Sequence, residues 1–248
     1  MLVDLHPKFM RWPGGCIVEG AMYENRVKWK ETLGDPMTRR GEWDVWGYRA
    51  TWGMGYHEFL QFCEDLQMDA MFVNNAGMSC SVRNGDFVSS DADMDAVVQD
   101  FRDAIDYALA DPANNRWAKM RAEAGHPKPF PLKYVEIGNE NVGPEYVTHF
   151  NYIFKKLQAE YPQIIFINTL GHTDRLLAQI QATTWWIPTG IATPTSSLPT
   201  TISSMKRPAH TTSTWVNMPA MVELVLAICW LPLVRPLSSW VWNETATW

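Results

Sequence analysis

Residues 133–140 read Lys133-Tyr134-Val135-Glu136-Ile137-Gly138-Asn139-Glu140. Tyr134 to Ile137 is a short run rich in aromatic and β-branched residues, which reads as a buried strand, and Gly138 closes it. Polar residues follow at once. The same grammar recurs elsewhere. Phe9-Met10-Arg11-Trp12 ends on Pro13-Gly14-Gly15, and the run 70–74 ends on Asn75-Ala76-Gly77. The apolar run 164–167 comes just after Pro162. Helical spacing fills the gaps. Phe59, Cys63 and Leu66 share a face over residues 56–68. A helix capped by Asp91 or Asp93 carries Met94, Val97, Val98, Phe101, Ile105 and Ala108 in one stripe. Residues 145–161 do the same with Val147, Phe150, Phe154, Leu157 and Tyr161. Apolar strands alternating with helices predict an α/β fold with a parallel sheet. A (β/α)8 barrel and an open doubly wound sheet both fit. No Gly-x-Gly-x-x-Gly follows any of the strands, which argues against a dinucleotide site. In a barrel, the C-terminal strand ends build the active site, and four strands are only part of its eight.

The 248 residues are 46% apolar and 19% charged, with a net charge of −6, which excludes a disordered chain. The acidic balance leaves no basic stripe for phosphates and argues against a nucleic-acid partner. Four cysteines in a chain of this length make no disulfide framework. The start of the chain lacks a basic segment followed by an apolar one, so no signal peptide is read. The most apolar run, residues 221–234, contains Glu223 and falls short of the ~20 residues of a membrane span. Composition breaks near residue 170. Only seven of the 48 charged residues and two of the 15 glycines lie beyond it, while Ser and Thr take 20 of the last 78 positions. Such loss of charge is unusual for a surface that must stay soluble. Residues 171–248 therefore read as an aberrant, low-charge, Ser/Thr/Trp-rich tail rather than a native domain, irregular or poorly ordered.

Glu140 is the sharpest candidate for chemistry. It sits at the mouth of a parallel strand, and a carboxyl group crowded there by apolar walls is suited to donate a proton. The competing reading is a solvated loop glutamate. Asn139 beside it has the groups to bind a sugar hydroxyl. Glu136, on the alternate face of the strand, reads as the structural partner of a buried Arg or Lys. Of Asn74 and Asn75, one satisfies neighbouring backbone and the other is free to face a ligand. Arg11 precedes a turn that lets backbone approach closely. It reads either as a clamp on hydroxyl or carboxylate or as half of a structural ion pair. Trp46 and Trp52 are platforms for sugar faces or core. Cys16, Cys63 and Cys80 show no metal-ligand spacing with the histidines, and Cys63 reads as inert core.

Arg11-Trp-Pro-Gly-Gly-Cys-Ile-Val-Glu-Gly20, Trp46-Gly-Tyr48, Gly55-Tyr-His-Glu-Phe-Leu60, Val73-Asn-Asn-Ala-Gly77 and Lys133 to Glu140 occur in one order. Over about residues 1–170 the chain resembles the α-L-arabinofuranosidases of glycoside hydrolase family 51. The resemblance implies a partial (β/α)8 barrel over residues 1–170, with an accessory β-sandwich in the complete enzyme. It also implies retaining removal of terminal arabinofuranosyl groups from arabinoxylan or arabinan. By motif, Glu140 is the general acid/base and Asn139 its sugar-binding neighbour. Asn75, Cys16 and Trp46 line the arabinose pocket, and Arg11 supports it. The implied partner is an arabinose-containing polysaccharide or oligosaccharide, with no cofactor or metal, no nucleic acid and no membrane, and the implied location is extracellular. Another retaining barrel glycosidase (a xylosidase or endoglucanase) and a non-catalytic remnant are the competing readings.

A retaining glycosidase needs a second carboxylate about 5 Å from the first. In the family it lies in a later Gly-Glu-Tyr-like motif, whereas Glu223 and Glu244 are the only glutamates after Leu170 and neither context fits. The family's sandwich and first barrel strand should also precede Phe9. A shifted reading frame accounts for the tail. Reading from the third base of plausible codons for Thr212-Ser-Thr-Trp-Val-Asn-Met-Pro-Ala220 permits Ile-Tyr-Val-Gly-Glu-Tyr-Ala-Cys. The same shift from Trp185 permits Val-Asp-Thr-His-Trp-Tyr-Arg-Asn, similar to the family's aromatic segment. This chain is expected to lack the nucleophile and to be inactive alone.

Overall fold

The computed structural model describes residues 2–170, 179–180 and the backbone of Trp185–Trp186. Strand β1 (Phe9–Trp12) is followed by a hairpin of two short strands, β2 (Glu42–Trp43) and β3 (Arg49–Ala50). Helix α1 (Tyr56–Asp65) leads to β4 (Asp69–Asn74), and helices α2 (Asp91–Leu109) and α3 (Arg116–Glu123) lead to β5 (Leu132–Ile137). Helix α4 (Gly143–Glu160), β6 (Ile165–Asn168) and β7 (Trp185–Trp186) complete the described elements. The main sheet has the order β1-β4-β5-β6-β7, and every neighbouring pair is parallel. All four strands expected from apolar runs are present, and the α/β expectation holds.

Alternation along the strands sorts the residues onto two faces. Trp12, Ala70, Phe72, Val135, Ile137 and Phe166 join the apolar cluster shared with α1, α2 and α4. Trp12 stacks on Phe59 and Phe72 with ring centroids 5.5 and 6.2 Å apart, and Tyr56 packs 4.6 Å from Phe72. Aromatic pairs of this kind contribute about 0.5–1.5 kcal/mol each beyond the area they bury. Arg11, Met71, Val73 and Glu136 occupy the intervening positions, so they point away from the helices. Among the described residues, no helix is long and apolar enough to cross a membrane.

Some boundaries differ from the sequence reading for local reasons. Ser90, not Asp91 or Asp93, caps α2: its side chain accepts the Asp93 N–H at 3.1 Å. Pro144 starts α4 earlier than expected, in the first turn, where its missing N–H costs nothing. Gly55 precedes α1, and the Glu58 carboxylate turns back to accept the Gly55 N–H at 2.9 Å while pairing with Arg39. The parallel pairing of β7 with β6 carries the sheet past the composition break at residue 170. The out-of-frame motifs proposed for the tail lie outside the described residues, apart from the backbone of Trp185–Trp186.

Candidate active site

The ends of β1, β4 and β5 meet at one rim. After Ile137, Gly138 turns the chain at φ +86°, and its N–H bonds to the Asn74 carbonyl at 2.7 Å. A Cβ at position 138 would lie 2.1 Å from Asn141 Oδ1, so no larger residue fits this turn as it stands. The same Asn141 oxygen accepts the Asn139 N–H at 3.0 Å. Glu140 then takes φ +51°, a left-handed backbone that costs a non-glycine residue energy and is concentrated at functional sites. Below the turn, the hydroxyl of buried Tyr146 donates to the Ile137 carbonyl and accepts the Thr169 N–H, joining the ends of β5 and β6.

Arg11 organises the floor. It reaches past β4 to Glu136, pairing through Nε at 2.5 Å and Nη2 at 2.8 Å, and Nη2 also donates to Asn139 Oδ1 at 2.8 Å. Glu136 is 1% exposed, so this ion pair is desolvated on the carboxylate side. Pairing between alternate strands is how barrel interiors are layered. Arginine only donates, so it fixes which end of the Asn139 amide faces it. Asn139 Nδ2 is thereby turned away from Arg11, and the amide faces the buried Glu19 carboxyl. A Cβ on Gly14 would lie 2.3 Å from the Arg11 Nη1 atom, so the glycine in the β1 turn makes room for the guanidinium.

Cys16 enters from the turn Cys16–Val18 that follows Pro13-Gly14-Gly15, and its thiol donates to Glu140 Oε2 at 3.6 Å. Burial, with Cys80 and Glu140 nearby, pushes the Cys16 thiol up to about 12, so it stays protonated and can make that bond. Glu19, one turn further on, is 2% exposed. Burial pushes its carboxyl up to about 8. The Asn139 amide pulls it down, and the Glu140 charge pushes it up. The Asn139 and Asn141 amides face this carboxyl and favour its charged form, and Glu19 Oε1, Asn139 Nδ2 and Asn141 Nδ2 make no closer hydrogen bond. Two amide donors gathered around one buried carboxylate form a polar cluster beside Glu140, with Glu140 close enough to raise the Glu19 pKa.

The sequence matches the family described as Alpha-L-arabinofuranosidase 1 domain over residues 1–198. The chain belongs to this family. It is 40% identical over 171 residues to Alpha-L-arabinofuranosidase 1 of Arabidopsis thaliana, covering 68% of this chain and 24% of that protein. To the Extracellular exo-alpha-L-arabinofuranosidase of Streptomyces chartreusis it is 35% identical over 186 residues, covering 70% of this chain and 22% of that one. Among solved structures, the arabinose-bound MgGH51 α-L-arabinofuranosidase superposes with a TM-score of 0.62 at 34% identity, over 71% of this chain and 28% of that chain. The arabinose complex from Thermotoga maritima, at 21% identity and a TM-score of 0.54, shares the fold. The chain thus spans about a quarter of the curated relatives named here. The family match runs past the boundary that composition set at residue 170.

Within this family frame, four of the expected site residues come together: Arg11, Cys16, Asn139 and Glu140. Two others do not join them. Asn75 is 4% exposed and fully engaged. Its Nδ2 donates to the Val18 and Met78 carbonyls at 3.2 and 2.7 Å, and its Oδ1 accepts the Gly77 and Met78 N–H groups at 2.6 and 3.0 Å. Asn75 is therefore the residue that satisfies backbone, locking the β4 loop to the Cys16 turn, with no capacity left for a ligand. Its neighbour Asn74 donates to Asp100 on α2 at 3.0 Å. Trp46 is 62% exposed in the β2–β3 turn, with Arg83 5.8 Å from its ring centroid. It stands on the surface rather than in the core, and no described contact links it to Glu140. The sequence reading did not single out Glu19 or Asn141, although Glu19 lies inside the quoted run 11–20.

Glu19 makes stability depend on pH. Its carboxyl holds a proton up to about 8 in the folded chain, against the ordinary 4.5 for glutamate. A group that binds its proton more tightly when folded favours folding at low pH. That advantage is lost as pH rises from about 4.5 to about 8. Glu19→Gln removes this slope and is expected to be more stable than the parent at pH 8.5 by on the order of a few kcal/mol. Urea denaturation at pH 4.5 and 8.5 checks it, and an unchanged slope in the variant would refute it.

Proposed function

We propose that this chain carries the acid/base half of a retaining α-L-arabinofuranosidase site. The observation that supports it is the Arg11–Asn139 hydrogen bond beside Glu140: an oriented amide stands next to one carboxyl group at a strand mouth. Glu140 gives its proton to the leaving oxygen as the bond from C1 to that oxygen breaks. A second carboxylate captures C1. Glu140 then takes a proton from the water that attacks C1, and arabinose is released with its configuration retained. Asn139 Nδ2 donates to a sugar hydroxyl, and Cys16 holds Glu140 in place. The substrate is an arabinofuranosyl group on a polysaccharide or oligosaccharide, and the setting is extracellular, as the name of the Streptomyces relative says of that protein. Residues 199–248, beyond the family match, are read as out of frame, and the second carboxylate is encoded in the alternative frame. The nucleotide sequence across residues 170–248 tests that reading directly.

The purified chain is expected to bind arabinose in preference to xylose, to lose affinity about 10-fold on Asn139→Ala, and to release no aryl alcohol from an aryl α-L-arabinofuranoside. Calorimetry and a chromogenic assay check these outcomes. Turnover at the rate of a complete enzyme would contradict the missing nucleophile. Equal binding of both pentoses would contradict the substrate class.

A further inference from the structure

Beside the proton donor lies a second constellation, of which the proposed glycosidase reaction uses only Cys16. Cys16 Sγ, Cys80 Sγ and a Glu19 carboxylate oxygen lie within 4.8 Å of one another. Cys80 and Glu19 are 4% and 2% exposed, and Cys16 is half-buried. Cys80 is brought in by its N–H, which bonds to the Gly20 carbonyl at 3.0 Å and pins the loop after β4 onto the loop that carries Glu19. Among the described residues this is the one group of three such side chains close enough to share an ion. The buried Glu19 Oε1 makes no close hydrogen bond, and the Asn139 and Asn141 amides are the donors that face its carboxyl.

We propose that Cys16, Glu19 and Cys80 form a binding site for a thiophilic divalent cation, zinc or cadmium. Two thiolates and one carboxylate are a donor set these ions prefer over magnesium or calcium. A tetrahedral zinc with Zn–S about 2.3 Å and Zn–O about 2.0–2.2 Å sets its ligand atoms about 3.5–3.8 Å apart. The three side chains therefore need to close by at most about 1 Å, within the reach of rotamer adjustments. Three protein ligands leave a fourth position for water. A thiolate on the ion has no proton to give, so binding also removes the Cys16 hydrogen bond to Glu140. The site holds independently of the sugar chemistry, because its test reads only the metal.

The test uses the full chain in a Cys229→Ser background, with cadmium chloride alone as the probe and the cadmium–thiolate charge-transfer absorption as readout. One equivalent of cadmium is expected to give a two-thiolate band that zinc competes away. Cys80→Ser is expected to halve the band and weaken binding at least about 10-fold. Glu19→Gln is expected to keep the band and weaken binding about 10-fold. Cys63→Ser, on the buried face of α1, is expected to change neither. A full-size band in Cys80→Ser, loss of the band in Cys63→Ser, or unchanged affinity in Glu19→Gln would each overturn the site.

Discussion

Glu140→Ala is expected to lower kcat/KM for an alkyl α-L-arabinofuranoside about 10²–10⁴-fold, the usual contribution of a positioned proton donor. The setting for this measurement is a chimera. Residues 9–170 of this chain replace the matching segment of the Arabidopsis thaliana relative, which supplies the remainder of the barrel. An alkoxide is a poor leaving group and needs its proton in the transition state. In the proposed role Glu140 makes that delivery, with its side chain set by the left-handed turn after Gly138 and by the protonated Cys16 thiol, which reaches its Oε2 atom at 3.6 Å. Asn139 is oriented separately by Arg11, so sugar binding should persist when the carboxyl is removed. KM is therefore expected to change far less than kcat. A loss smaller than about 3-fold would remove Glu140 from the reaction.

Arg11→Met is expected to destabilise the fold by about 3–5 kcal/mol. The guanidinium makes two hydrogen bonds to a carboxylate that is 1% exposed, and its removal leaves that charge buried and unpaired. Domains of this size have only about 5–15 kcal/mol in total, so the single substitution approaches unfolding. The double variant Arg11→Met with Glu136→Gln is expected to recover most of the loss, because the orphaned charge is gone with its partner. It should nevertheless bind arabinose poorly, since nothing then fixes the Asn139 amide. Denaturant midpoints of the two variants check this. A single variant within 1 kcal/mol of the parent would show that the ion pair does not hold the floor.

The parts of the fold legible in sequence are those where apolar pattern and burial coincide. Met94, Val97, Val98, Phe101, Ile105 and Ala108 are all buried along α2, and Val147, Phe150, Phe154 and Leu157 along α4. Helix α3 was invisible because it has no apolar stripe. It is anchored by Arg121, 0% exposed, which donates to the carbonyls of Tyr107, Ala110, His126 and Pro127. A charged residue reads as surface unless its partners are known, and these come from the end of α2 and the loop before β5. Strands β2 and β3, two residues each, are too short to show a period. At the site, Glu136 was legible as the partner of a buried cation, because an acidic residue inside an apolar strand needs one. Asn75 and Trp46 were not. Their roles depend on which backbone groups and side chains the loops bring near, and spacing along the chain carries no such information. Cys16 and Cys80 likewise meet only through the pairing of two loops.

The most direct test of the central claim is how the Glu140→Ala loss in the chimera varies with the leaving group. Measured as kcat/KM, the loss is expected to be large for an alkyl arabinofuranoside and close to absent for a dinitrophenyl one, whose phenolate departs without a proton. An equal loss for both leaving groups would contradict the assignment of Glu140 as the proton donor.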